Sequence, residues 1–158
     1  MIEILKSEAL ESGTFKSVPR RNLPAISDNT RFFWESGADG KLRFCRCSDC
    51  GHYIHPPAPA CPQCRSRDVH HAAVSGRGTI ATFTINRQAW EPGLEAPYVV
   101  ALVELDEQAG LRLTTNVFDC PVEDIRIGMR VDVFFDHRED VWIPLFRPVG
   151  TAAPGDAQ

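Results

Sequence analysis

The chain has 158 residues, 43% of them hydrophobic, and a formal net charge of -4; that suits one domain with a sizeable core, or one domain plus a small module. No apolar run approaches the roughly 20 residues of a membrane span, and the opening Met1-Ile2-Glu3-Ile4-Leu5-Lys6 lacks the basic-then-apolar layout of a signal peptide, so a cytoplasmic location without a membrane partner is expected. Residues 1–71 carry ten Lys and Arg against eight Asp and Glu, whereas residues 72–158 carry seven against thirteen; the acidic second half argues against a nucleic-acid surface there, which needs concentrated positive charge.

Residues 1–40 suggest an arm and a short aromatic helix. Over residues 1–26 the pattern is weak, and Gly13, Pro19 and Pro24 break any long helix. This arm carries the basic cluster Lys16, Arg20 and Arg21. Ser27-Asp28-Asn29 offers N-cap candidates for a helix over 30–36 that Gly37 and Gly40 end. Phe32, Phe33 and Trp34 are consecutive, and at about 100° per residue they spread over more than half of a helix. Either the fold packs this helix on two sides, or part of the aromatic surface is left for a partner or an apolar ligand.

Residues 41–74 hold the most specific motif. Cys47-Ser48-Asp49-Cys50 is followed by Cys61-Pro62-Gln63-Cys64, and two Cys-x-x-Cys pairs at this separation predict a zinc ribbon with one tetrahedral zinc on Cys47, Cys50, Cys61 and Cys64. The alternatives are two redox motifs or two disulfides. Four thiolates leave no open coordination position, so a structural rather than a catalytic zinc is expected. Six cysteines with four in metal spacing fit a reducing compartment. Cys45 could compete as a ligand but is read as a buried or spare thiol; His52 and His55 are read as surface groups or as neighbours of the ligands, and His70 and His71 as solvated strand residues. Arg43 and Arg46 either balance the formal -2 charge of a zinc tetrathiolate or meet an anionic ligand or acidic partner.

Residues 75–150 change to short strands, expected at 79–87, 98–106, 111–118, 129–136 and 141–147. Alternation is plain in Ala81/Phe83/Ile85 and Val131/Val133/Phe135. Val99 to Val103 is apolar on both faces, which predicts cover from outside as well as inside, with the aromatic helix as the candidate cover. Pro121 and the acids after it predict a short helix over 121–125, stopped by Gly128. Five strands with a helix between the third and fourth are the layout of an OB-fold barrel. Residues 151–158 read as a disordered tail. The expected class is therefore mainly β: an N-terminal helical segment, a rubredoxin-like four-cysteine zinc ribbon and a C-terminal five-stranded OB-fold barrel. Nothing in the pattern supplies a nucleophile with a placed base, a carboxylate pair or a phosphate loop. Cys120 precedes Pro121 at an expected helix start that favours a thiolate, yet a small buried thiol is the plainer reading.

The order Phe33-Trp34-Glu35, Gly40-Lys41-Leu42, Cys47-x-x-Cys50-Gly51, Pro56-Pro57, Cys61-Pro62-x-Cys64, Ser75-Gly76-Arg77-Gly78-Thr79 and Ile127-Gly128-Met129 resembles a family of small bacterial and archaeal proteins long classed as a domain of unknown function. They join an N-terminal helical segment and a rubredoxin-like zinc ribbon to an OB-fold, and the likeness runs from about Leu23 to Val149. The resemblance implies an accessory subunit that lacks catalytic activity alone, in a hetero-oligomer with a thiolase-superfamily enzyme (thiolase, aldolase or acyltransferase) acting on acyl-CoA. By residue type, Phe32, Phe33 and Trp34 are candidates for apolar contact. Arg43, Arg46, Arg20 and Arg21 are candidates for CoA phosphates or acidic partner residues. The rival readings are a stand-alone acyl-CoA-binding protein and a nucleic-acid-binding ribbon and OB module.

Overall fold

The structure, a computed structural model, describes residues 22–90 and 95–150; residues 1–21 of the arm, with Lys16, Arg20 and Arg21, and the expected tail at 151–158 lie outside the described residues. The aromatic segment forms helix α1, Arg31–Trp34, a single turn followed by a 3-10 turn, Ser36–Asp39, that ends at Gly40 with φ +73°. The helix expected over 30–36 is thus shorter. Its N-cap is Thr30, without a side-chain cap, and the carbonyl of Ser27 accepts from the N–H groups of Thr30 and Arg31 at 3.0 and 2.8 Å. Three aromatics in a row are poor helix formers, and Gly37 is held against the barrel: a Cβ there would lie 2.5 Å from Phe135 Cδ1 and 2.6 Å from Trp142 Cβ. Gly37→Ala is therefore expected to cost about 1–3 kcal/mol by overpacking, seen as a lower urea midpoint at unchanged slope. A midpoint equal to that of the parent would show that the close approach relaxes freely.

The ribbon is a three-stranded antiparallel sheet of β1 (Arg43–Cys47), β2 (Tyr53–Ile54) and β3 (Val69–Ala73) in the order β2-β1-β3. The barrel follows as β4 (Arg77–Asn86), β5 (Tyr98–Leu105), β6 (Arg112–Val117), β7 (Arg130–Arg138) and β8 (Val141–Pro148), closed in the order β4-β5-β6-β8-β7. All its pairs are antiparallel except β6 with β8, which run parallel at Val117 and Phe146. This is the OB-fold, and each strand lies within two residues of the expected range. The expected helix over 121–125 is a 3-10 turn, Val122–Asp124.

Val99, Ala101, Val103 and Leu105 of β5 point into the barrel and are buried, while Val100 and Leu102 between them are half-buried. The apolar run is thus covered only in part from outside, and α1 reaches it at Val100, which lines one groove with Phe33 and Trp34. Phe33, Leu42, Phe44 and Val74 belong to the same apolar cluster as Ile80, Val103, Val131 and Phe146. Helix, ribbon and barrel therefore share a core. Among the described residues no helix is long and apolar enough to cross a membrane.

Candidate functional site

Each Cys-x-x-Cys pair sits in a tight turn. The N–H of Gly51 donates to the carbonyl of Cys47 at 3.0 Å and that of Arg65 to Cys61 at 2.9 Å. The residue after each second cysteine takes positive φ, +74° at Gly51 and +65° at Arg65. These turns bring the sulfurs of Cys47, Cys50, Cys61 and Cys64 within 4.8 Å of one another, with Cys47 to Cys64 and Cys50 to Cys61 each at 3.5 Å. Zinc–sulfur bonds of about 2.3 Å in a tetrahedron require sulfurs somewhat under 4 Å apart, so the donor set fits Zn²⁺. Backbone N–H groups of Cys50 and Asp49 aim at the sulfur of Cys47 and pull its thiol down to about 7. Cys64 is pulled down by the N–H of Ser66, but its neighbours Cys50, Cys47 and Cys61 prevail and push it up to about 12. Four thiolates so close need a cation between them. Cys47 and Cys61 are buried while Cys50 and Cys64 are exposed, so the centre sits at the ribbon's tip with one side in the core.

Cys45 lies in β1 outside the four-sulfur cluster, buried, with its thiol pushed up by burial. Cys120 is likewise buried and pushed up, by burial first and then by the Asp124 carboxylate. That makes it a packing group and a poor nucleophile. His70 and His71 are exposed on β3, as expected of strand residues in solvent, although the His71 ring stacks on Phe32 at 3.8 Å.

His55 is half-buried among aromatic rings. Its ring packs between Phe33 at 5.5 Å and Phe44 at 4.9 Å, where burial lowers its pKa below the usual 6.5. The fold thus holds the neutral ring, and the unfolded chain takes up the proton first. The stability linked to His55 is complete above about pH 6.5 and is lost as pH falls from there toward the lower folded value. Melting temperature should drop between pH 7.5 and 5.5, and drop less in His55→Phe; parallel slopes in the two proteins would refute this.

Of the seven residues proposed for contact with a ligand or partner, five are described, and two of these share a groove. Phe33 and Trp34 border a groove of about 230 Å³ whose other walls include Val100, Leu113, Ile143 and Leu145. Phe33 is buried and Trp34 half-buried, so Trp34 supplies most of what α1 leaves exposed there. Arg43 and Arg46 are on β1, away from that groove. Arg43 spans both carboxylate oxygens of Asp39, at 2.8 and 2.5 Å, and the guanidinium holds the Asp39 carboxyl at about 2. This link persists above the usual carboxylate range and is lost only as pH falls through about 2, as a carbon-detected NMR titration of Asp39 should show. The opposite charge four residues before Arg43 was the sequence signal for it. Arg46 donates from Nε to the carbonyl of Gly51 at 3.0 Å and lies over the Tyr53 ring at 5.1 Å; among the described residues it has no carboxylate partner.

Comparison with known proteins matches both parts. Residues 34–70 match the family described as ChsH2, rubredoxin-like zinc ribbon domain, and residues 71–136 that described as ChsH2, C-terminal OB-fold domain. The chain is 36% identical over 129 residues to a probable enoyl-CoA hydratase alpha subunit of Thermomonospora curvata, covering 81% of this chain but only 40% of that protein. It is 37% identical over 101 residues to a DUF35 domain-containing scaffold protein of Methanocaldococcus jannaschii, covering 60% of this chain and 70% of that one. Among solved structures, a chain of the Ltp2-ChsH2(DUF35) aldolase superposes with a TM-score of 0.72 at 36% identity, over 80% of this chain and 98% of that one.

Proposed function

Because the chain belongs to the DUF35 family of ChsH2-type zinc-ribbon and OB-fold proteins, we propose that it is a non-catalytic subunit that docks on a thiolase-like enzyme and supports its acyl-CoA site. The observation that carries this is the match over nearly the whole of a ChsH2 chain in an aldolase named for two components. The site chemistry agrees: the zinc ligands are four thiolates with no place for a substrate, and the thiol in the barrel, Cys120, is buried and held protonated. Such a subunit raises activity by positioning the partner's groups and excluding water, and donates no reacting atom.

Within this reading Trp34, with the edge of Phe33, offers apolar surface to the partner or the acyl group. Arg46 is the better placed of the two ribbon arginines for a CoA phosphate, since Arg43 is already held by Asp39. The test is to isolate the tagged chain from its own host after nuclease treatment and identify what stays bound in stoichiometric amount. A thiolase-like protein that gains activity on acyl-CoA only when this chain is added supports the proposal. Recovery of nucleic-acid enzymes alone, or tight binding of CoA esters by the isolated chain with no protein partner, would replace it with one of the rival readings.

A further inference from the structure

The turn between β5 and β6 touches the ribbon at Tyr53 and the link from ribbon to barrel at Ser75. The carbonyl of His52 accepts from the N–H of Cys47 on β1 at 2.9 Å, whereas the next residue, Tyr53, turns its N–H and carbonyl to the open edge of the sheet. Gln108 meets both: its Oε1 accepts from Tyr53 N–H at 2.8 Å and its Nε2 donates to the Tyr53 carbonyl at 3.1 Å. A side-chain amide has the donor and acceptor of a peptide unit, so Gln108 stands in for one residue of a neighbouring strand and closes that edge. Beside it, Glu107 Oε1 accepts from the N–H of Ser75 at 2.6 Å, and Ser75 lies in the link between β3 and β4.

The turn itself is tied to the barrel. Asp106 donates its N–H to the Arg77 carbonyl at 3.1 Å, and its carboxylate receives both arms of Arg130. The apolar core that ribbon and barrel share resists their separation by packing, and hydrogen bonds add to it a fixed donor–acceptor geometry. We infer that residues 106–108 form the joint that fixes the angle between ribbon and barrel, with Gln108 and Glu107 as its positioning residues. A subunit that meets a partner with both parts at once binds better when their arrangement is set beforehand, but the joint stands whether or not that reading of the function holds.

The test uses the zinc-loaded full chain with Gln108→Ala and Glu107→Ala combined. Expected are amide exchange at Tyr53 and Ser75 faster by about tenfold or more, and residual dipolar couplings that no longer fit one common alignment for ribbon and barrel. Zinc content and the protection of the Val103 and Val131 amides should match the parent. A single shared alignment, or unchanged protection of Tyr53, overturns the joint. If the double variant does not fold, Gln108→Glu decides: it keeps the acceptor for Tyr53 N–H and loses the donor to its carbonyl, so the shared alignment should loosen, and one as tight as the parent's overturns the inference.

Discussion

Cys47→Ser is expected to abolish stoichiometric zinc binding and unfold the ribbon. Cys47 is buried, at 1% exposure, and its sulfur sits within 4.8 Å of the other three ligands. A structural zinc centre contributes about 10–16 kcal/mol to the folding of its module, as much as or more than the roughly 5–15 kcal/mol total of an ordinary domain. Metal analysis should find about one zinc per parent chain and none in the variant, with loss of dispersed amide signals from β1 to β3. Cys45→Ser is the control: Cys45 is also buried but lies outside the sulfur cluster, so that protein should keep its zinc. A Cys47→Ser protein that retains the metal, or loses it with every ribbon signal intact, would contradict the structural role.

The second large effect is expected at Phe44. It is fully buried in the cluster that joins Leu42 and Phe33 to the barrel residues Ile80 and Val131, and its ring meets Phe33 at 5.9 Å and His55 at 4.9 Å. Truncating such a phenylalanine to alanine costs about 3–5 kcal/mol in lost transfer energy and residual cavity. Because the cluster crosses the boundary at residue 74, Phe44→Ala should lower the melting of ribbon and barrel together. Separate transitions, with the barrel's midpoint unmoved, would mean that the two parts fold independently.

What the sequence reveals follows the range of the interactions involved. The zinc ligands are legible because a Cys-x-x-Cys turn is closed within five residues, as the Gly51 and Arg65 bonds show. The barrel strands are legible because alternation such as Val131/Val133/Phe135 records which face is buried over a few residues. The length of α1 is not, since the segment just past its end packs through Gly37 against Phe135 and Trp142, far downstream in the chain. His55 and Gln108 fail for the same reason: nothing local marks one as an aromatic spacer or the other as a substitute strand. Arg43 shows the converse, a candidate for ligand contact whose charge is claimed by Asp39, a near neighbour.

The parallel contact between β6 and β8 completes the barrel with one register pair, Val117 with Phe146. It is supplemented by the N–H of Phe118 bonding to the Phe146 carbonyl at 2.8 Å and the Thr115 hydroxyl to the Pro144 carbonyl at 2.9 Å. Pro144 has no N–H to give, and with a single register pair this is the shortest seam of the barrel. A cylinder under load is only as strong as its weakest stave joint, and here that joint is known. Pulled or warmed, the barrel should unroll there first, into a sheet that still holds β4 between β5 and β7.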